Sequence, residues 1–375
     1  MTAILRASRR VSSIMVNDTT PAGAWLAVRM EQVRWGIIGC GDVTEVKSGP
    51  GLQKADRSSL VAVMRRDAEA CRDYAERHGV PFWTTDADEL INHPEVDAVY
   101  VATPPDSHAD YAIRVLEAGK PVYVEKPMAR TGAECDRMIE AAERTGQPLF
   151  VAYYRRAMPR FVTVKELLDE GRLGRVHAVT VRVQRPASRA VIEPGASAPA
   201  AATPVEGELE WRIIPEVSGG GHFVDLASHT LDLLDHLLGP LDQVQGQAET
   251  LAGVSCAEDT VVATWRHASG VLGGGLWSFT AGQPRDEVEI IGEVATLKFS
   301  SFAAEPLVLE TGDGTELIEA PYPEHVQQPL IQNIVDVLTG HAESAISTGE
   351  SGARTARVID TVLADHRRRN GIRFE

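Results

Sequence analysis

Val33–Thr44, VRWGIIGCGDVT, restricts the possible folds more than any other stretch. Val33, Trp35, Ile37 and Ile38 form an apolar run of strand length that breaks into Gly39-Cys40-Gly41. A buried strand that ends in glycines and feeds a helix is the first unit of a dinucleotide-binding sheet. Gly39 permits the sharp turn, because a residue without Cβ tolerates positive φ. Gly41 lets the backbone approach a pyrophosphate. The following helix, opening at Asp42 and Val43, presents unpaired N–H groups and its positive dipole end to that phosphate. Thr44 stands where the pattern usually has a third glycine. That position serves close helix–strand packing, which a small residue also allows.

The alternation continues. A helix is expected after Thr44, ending before Lys54–Ser59, and then a strand at Leu60–Met64. A helix over Ala68–His78 is stopped by Gly79 and Pro81. Phe82–Thr85 reads as a strand, Ala87–Asn92 as a helix and Asp97–Ala102 as the next strand. TPPDSH, Thr103–His108, is an extended turn with its own helix cap. Pro121–Val124 delivers Glu125-Lys126-Pro127 to the carboxyl edge of the sheet, where open α/β sheets bind ligands. A helix over Thr131–Arg144 and a strand at Leu149–Ala152 complete a doubly wound parallel sheet.

Cofactor choice turns on the end of the second strand. An acidic residue there binds the ribose 2′-hydroxyl of NAD. Here the strand runs into Arg65-Arg66, and Asp67 follows. A guanidinium can take a 2′-phosphate bidentately, which favours NADP, with NAD as the alternative if Asp67 meets the ribose.

After Ala152 the pattern changes. A helix is expected over Phe161–Asp169 and a half-exposed strand over Val176–Val183. Pro186–Gly207, rich in Pro and Ala, reads as a long loop near the cleft. Gly-rich Ser218–Gly221 leads into a helix, Phe223–Leu238. Short strands then dominate: Val261–Trp265, Gly274–Phe279, Glu287–Ile291, Thr296–Phe299 and Leu307–Glu310. They predict an α+β domain with a large, mainly antiparallel sheet. Helices are expected near Gln327–Leu338 and Gly352–Arg368.

The chain therefore divides into a tail over 1–32, a dinucleotide-binding domain over 33–152, an α+β domain over 153–345 and a helical return over 346–375. The tail is expected to be disordered, with Met30 as a natural start. Its Arg9-Arg10 pair is followed by no apolar stretch that would make an export signal. With 37 basic and 53 acidic residues the net charge is −16. That charge argues against nucleic acid and anionic membranes as partners. No apolar run reaches the ~20 residues needed to span a bilayer. Cys40, Cys71, Cys135 and Cys256 form no CxxC pair, which argues against a metal site and a disulfide framework and for the cytoplasm.

Two pieces can carry chemistry. One is Lys126, at a strand end and followed by proline. The other is Asp225 with His229, four apart on one helix face. An alcohol losing hydride must also lose a proton. An imidazole can take it, and a lysine ammonium can stabilise developing alkoxide charge. The glycines Gly219–Gly221 are expected to leave space beside a ligand.

GCGDVT (Gly39–Thr44), ATPPDSH (Ala102–His108), EKP (Glu125–Pro127) and GGGHFVDLASH (Gly219–His229) fall in one order and spacing. In these the chain resembles the glucose–fructose oxidoreductase / inositol dehydrogenase / MocA family, from about Val33 to the C-terminus. The resemblance implies bound NAD or NADP, sugar- or cyclitol-like substrates, and a homodimer or homotetramer formed through the open sheet. It implies catalytic roles for Lys126, Asp225 and His229, and often a cis bond before the proline of EKP. Thr103, Pro104, His108 and Glu125 join the glycine turn and Arg65-Arg66 as cofactor contacts. Two departures are Thr44 and Tyr154, the latter standing where many members carry Asn. Tyr153, Arg156 and Trp211 are candidates for the substrate wall. The expected activity is dehydrogenation or reduction of a sugar or polyol. The alternatives are a glycosidase with a transient redox step on NAD and a non-catalytic NADP-binding sensor.

Overall fold

The computed structural model describes residues 30–186 and 210–374. The expected tail and the Pro186–Gly207 loop lie outside these residues except at their edges. Six strands, β1 (Val33–Ile38), β2 (Ser58–Met64), β3 (Phe82–Thr84), β4 (Ala98–Val101), β5 (Val122–Val124) and β6 (Leu149–Val151), pair in parallel. Their order is β3-β2-β1-β4-β5-β6. The order reverses between β1 and β4, and that switch point is where open sheets of this kind bind ligands. Burial on both faces explains the unbroken apolar runs VYV and AVYV, which show no alternation.

The helix expected after the glycine turn is two short ones, Asp42–Val46 and Ser48–Lys54. The second packs on a helix from the other half of the chain, Gln328–Leu338. There a Cβ at Gly51 would stand 2.8 Å from Ile331 Cδ1.

The second sheet has eight strands: β7 (Val176–Gln184), β8 (Leu241–Glu249), β9 (Thr260–His267), β10 (Leu272–Ser278), β11 (Arg285–Gly292), β12 (Ala295–Phe299), β13 (Leu307–Thr311) and β14 (Gly314–Ile318). Their order is β14-β13-β12-β11-β7-β10-β9-β8. All pairings are antiparallel except β7 with β10. Every second residue of β9 is buried, and the intervening ones, among them Val262, are exposed. The helix His222–Leu238 covers the buried face, with Phe223 edge-on to Trp277 at 5.1 Å.

The helix Gly349–Arg369 touches both halves. Gly132 N–H donates to Asp360 Oδ2 at 2.7 Å, and Gly352 lies against Val151. On its other side, a Cβ at Gly246 of β8 would stand 3.0 Å from Val362 Cα. Gly246→Ala should push this helix off the sheet and cost about 1–3 kcal/mol of stability, measured by denaturant unfolding.

Candidate active site

Gly39 sits at φ +92°, and a Cβ there would stand 2.9 Å from Thr103 N. The glycine turn is thus seated on the β4 loop and its Thr103. Gly41 is different, because a Cβ there would meet only Gly39 O, at 3.9 Å. Its outer side is open, and the N–H groups of Asp42 and Val43 stand at the first two positions of the helix, before intrahelical bonding begins. This cradle fits a pyrophosphate. Thr44 locks it from behind, donating to Gly41 O at 2.7 Å and accepting from Gly41 N at 3.0 Å. The close packing is taken over by Gly49, whose absent Cβ would stand 2.2 Å from Thr44 O and 2.6 Å from Tyr74 Oη. Arg65 Nη1 lies 3.4 Å from Cys40 O, beside the turn, and both Arg65 and Arg66 are exposed. Asp67 accepts from Ala70 N at 3.0 Å and so caps the helix Ala68–His78.

Glu125, expected to touch cofactor, is buried and fully engaged inside the protein. Its Oε1 accepts from Tyr100 Oη at 2.6 Å and Gln327 Nε2 at 2.7 Å, and its Oε2 from Lys126 N at 2.9 Å. Gln327 belongs to the second half of the chain. Glu125 therefore fixes the backbone of Lys126 rather than reaching outward. His108 is likewise internal. Its Nε2 lies 2.6 Å from Thr103 O and its Nδ1 3.0 Å from Pro127 O. Burial pushes its pKa down, so the neutral ring donates to one carbonyl and spans the two loops that carry Thr103, Pro104 and Lys126. The Lys126–Pro127 bond is cis.

Lys126 Nζ crosses to the second half of the chain. It donates to Asp225 Oδ1 at 2.6 Å and lies 3.3 Å from Asp225 O. Arg212 Nε stands 3.5 Å from Asp225 Oδ2. Burial works against a charge on Asp225, but Lys126 and Arg212 outweigh it and hold the carboxyl well below the usual range. Asp225 is an anion at any working pH.

His229 lies one turn further along the same helix, buried, with Tyr154 edge-on at 5.2 Å and Tyr153 and Phe302 each at 6.3 Å. Its Nδ1 has no hydrogen-bond partner among the described residues. Burial, and then the positive charges of Arg155, Lys126 and Lys47, push its pKa well below the ordinary value. The ring is neutral at pH 7 and can accept a proton.

Two expectations are corrected. Gly219–Gly221 do not open space for a ligand. A Cβ at Gly219 would stand 2.8 Å from Arg130 O, and one at Gly221 2.3 Å from Glu258 O. The glycines let the helix start pack flush on the loop after Lys126 and on Glu258, whose Oε1 accepts from Gly221 N at 2.7 Å. Arg156 does not line the site. It is buried in a fork with Asp232, both bonds 2.8 Å, and reaches Asp235 at 3.1 Å. Trp211 is half-buried and stacks under Arg212 at 4.4 Å, beside Asp225. Arg212, Phe302 and Glu258 were not anticipated. Arg212 stands seven residues before Gly219, and Glu258 and Phe302 lie well beyond His229, all on segments with no spacing pattern to mark them.

Residues 33–153 match the model of the oxidoreductase family with an NAD-binding Rossmann fold, and residues 161–298 match the GFO/IDH/MocA C-terminal domain. The chain is 38% identical over 337 residues to oxidoreductase P35 of Formosa agariphila, covering 88% of this chain and 98% of that one. It is 33% identical over 156 residues to inositol 2-dehydrogenase of Rhizobium meliloti, covering 42% and 46%. Among solved structures, the WlbA dehydrogenase of Bordetella pertussis, in complex with NADH and UDP-GlcNAcA, superposes with TM-score 0.74 at 28% identity, covering 92% and 98%. A levoglucosan dehydrogenase in complex with NADH and levoglucosan gives TM-score 0.76 at 22% identity over 90% and 98%, a likeness of fold. The chain belongs to the Gfo/Idh/MocA family of NAD(P)-binding oxidoreductases.

Arg156→Met would leave Asp232 and Asp235 short of a partner in the interior. It should cost about 3–5 kcal/mol of stability, seen as a lowered unfolding midpoint, rather than act selectively on substrate affinity.

Proposed function

We propose that the protein oxidises a secondary alcohol of a sugar or polyol, or reduces the matching carbonyl, with NADP as cofactor. The pairing of Lys126 with Asp225 one helical turn from a neutral His229 carries this reading. A bound nicotinamide would supply the hydride acceptor for the substrate carbon. His229 takes the hydroxyl proton as that hydride leaves, which turns C–OH into C=O. Lys126 spends two of its three donors near Asp225 and keeps one for the substrate oxygen, where it stabilises developing negative charge. Asp225 fixes the ammonium in place. Glu125 and His108 set the loop geometry from below.

The cofactor preference rests on the arginines. Arg65 stands beside the glycine turn, and the carboxylate that could compete for a ribose, Asp67, is engaged as a helix cap. A guanidinium there suits a 2′-phosphate. The outward face of the second sheet, with Val262 and Leu272 exposed, supports assembly of copies of the chain through that face. All four cysteines are free, three of them buried, which supports a reducing, cytoplasmic setting. Among the described residues, no helix is long and apolar enough to cross a membrane.

His229→Ala should lower kcat by about 10²–10⁴-fold and leave dinucleotide affinity unchanged, read from turnover and from cofactor titration. Full turnover in that variant removes the proton role. His229 is already deprotonated when an ordinary imidazole would be protonated. The pH profile of kcat/KM for oxidation should therefore show no fall near pH ~6.5, and its acid limb should lie lower. Arg65→Ser should weaken NADP binding by about 10–100-fold and leave NAD binding little changed, measured by calorimetry. Tighter binding of NAD than NADP by the unaltered protein would reverse the cofactor assignment.

A further inference from the structure

The helix His222–Leu238 carries a second polar position on the face that bears Asp225 and His229. His222 lies three residues before Asp225 and seven before His229, a spacing that keeps all three in one stripe. At about 1.5 Å per residue, His222 stands about 10 Å along the axis from His229. It faces an open pocket of about 100 Å³ that the chemistry at Lys126 does not use. One link joins this pocket to the site. Ile213, which lines it, directly follows Arg212, the partner of Asp225.

The lining suits a hydroxylated ligand. Thr250, Ser255 and Thr280 supply hydroxyls, and Glu258 supplies a buried carboxyl group. His222 Nδ1 is buried and has no partner among the described residues. Phe279, tilted against His222 at 5.4 Å, gives an apolar surface beside these polar groups. A mixed wall of hydroxyls, one imidazole, one ring edge and the charged side chains Arg185, Glu258 and Asp259 offers donors, acceptors and an apolar surface to the alternating C–H and O–H surface of a pyranose. A volume of about 100 Å³ admits several groups the size of water. That is the hydroxyl-bearing edge of one ring. A span of about 10 Å from the proton acceptor to this wall exceeds what one pyranose fills.

We propose that this pocket is a second sugar subsite, and that the substrate is a disaccharide or glycoside whose far ring docks against His222 while its near ring reacts beside His229. This rests on the reading of His229 and Lys126 as the reacting end. The far ring makes no covalent change. Its role is to hold the reacting carbon in place with binding energy gained away from the chemistry.

The test is calorimetry on the full chain saturated with NADP. The probes are glucose and galactose against cellobiose, maltose and lactose. At least one disaccharide should bind about tenfold or more tightly than either of its component monosaccharides, as two or so extra hydrogen bonds would give. His222→Ala and Thr280→Val should each abolish that gain, with monosaccharide affinity held within about twofold and thermal melts showing both variants folded. Equal affinity for one ring and two, or a gain that survives both variants, overturns the subsite. Formation of reduced cofactor is followed on the same sugars. A two-ring gain without any hydride transfer would keep the subsite and remove the proposed activity. Hydride transfer on single-ring sugars with no two-ring gain would do the reverse.

Discussion

The ion pair between Lys126 and Asp225 is the point on which the rest of the architecture depends. Each charge comes from a different sheet-bearing half of the chain, and neither is well solvated. Such a pair is favourable only when the geometry is fixed and the remaining hydrogen bonds are met. The surroundings meet that demand from both sides. Glu125 holds the lysine by accepting from its backbone N–H. Arg212 supports the carboxylate from its other oxygen. The helix start is held against the first half by a chain of contacts. Arg367 donates to Gly219 O at 2.7 Å and pairs with Asp360, which in turn accepts from Gly132 N. The circuit closes where Gly219 meets the backbone of Arg130.

This arrangement separates positioning from reaction. Residues that look reactive in isolation, Glu125 and His108, are spent on internal acceptors and donors. They convert a flexible loop into a fixed mount. The imidazole left for chemistry, His229, is surrounded by aromatic rings and by cations rather than by a carboxylate. That environment favours the uncharged ring, the form that can take a proton, while lowering its proton affinity. The anion in the site, Asp225, is turned toward the lysine. The two members of the Asp225–His229 spacing thus serve different partners.

Much of this was legible in the sequence because the elements obey simple periods. Helices such as Ala68–His78 carry their own caps, Asp67 and Gly79, and start and stop where those residues stand. The doubly wound sheet announced itself through apolar runs that end in glycine or proline. What stayed hidden has a physical reason in each case. β14 reads GTELI and is exposed along almost its whole length, so no alternation marks it. The break at Lys47 falls where Pro50 has no N–H to bond the carbonyl of Val46 and where Gly49 packs under Thr44. Arg156 looked like a pocket residue because its partners, Asp232 and Asp235, lie more than seventy residues away. The triple glycine was expected to leave space for a ligand, but backbone and Glu258 fill that space.

Gly49 carries a wider lesson about how such turns are recognised. The helix behind the phosphate cradle needs one site without a side chain, yet that site has moved five residues downstream while Thr44 ties the turn with its hydroxyl. The physical requirement is for thinness somewhere along the segment, not for a letter at a fixed offset. A pattern search that insists on the third glycine would discard chains of this kind, whereas one that accepts a hydroxyl residue followed by a displaced glycine would retrieve them.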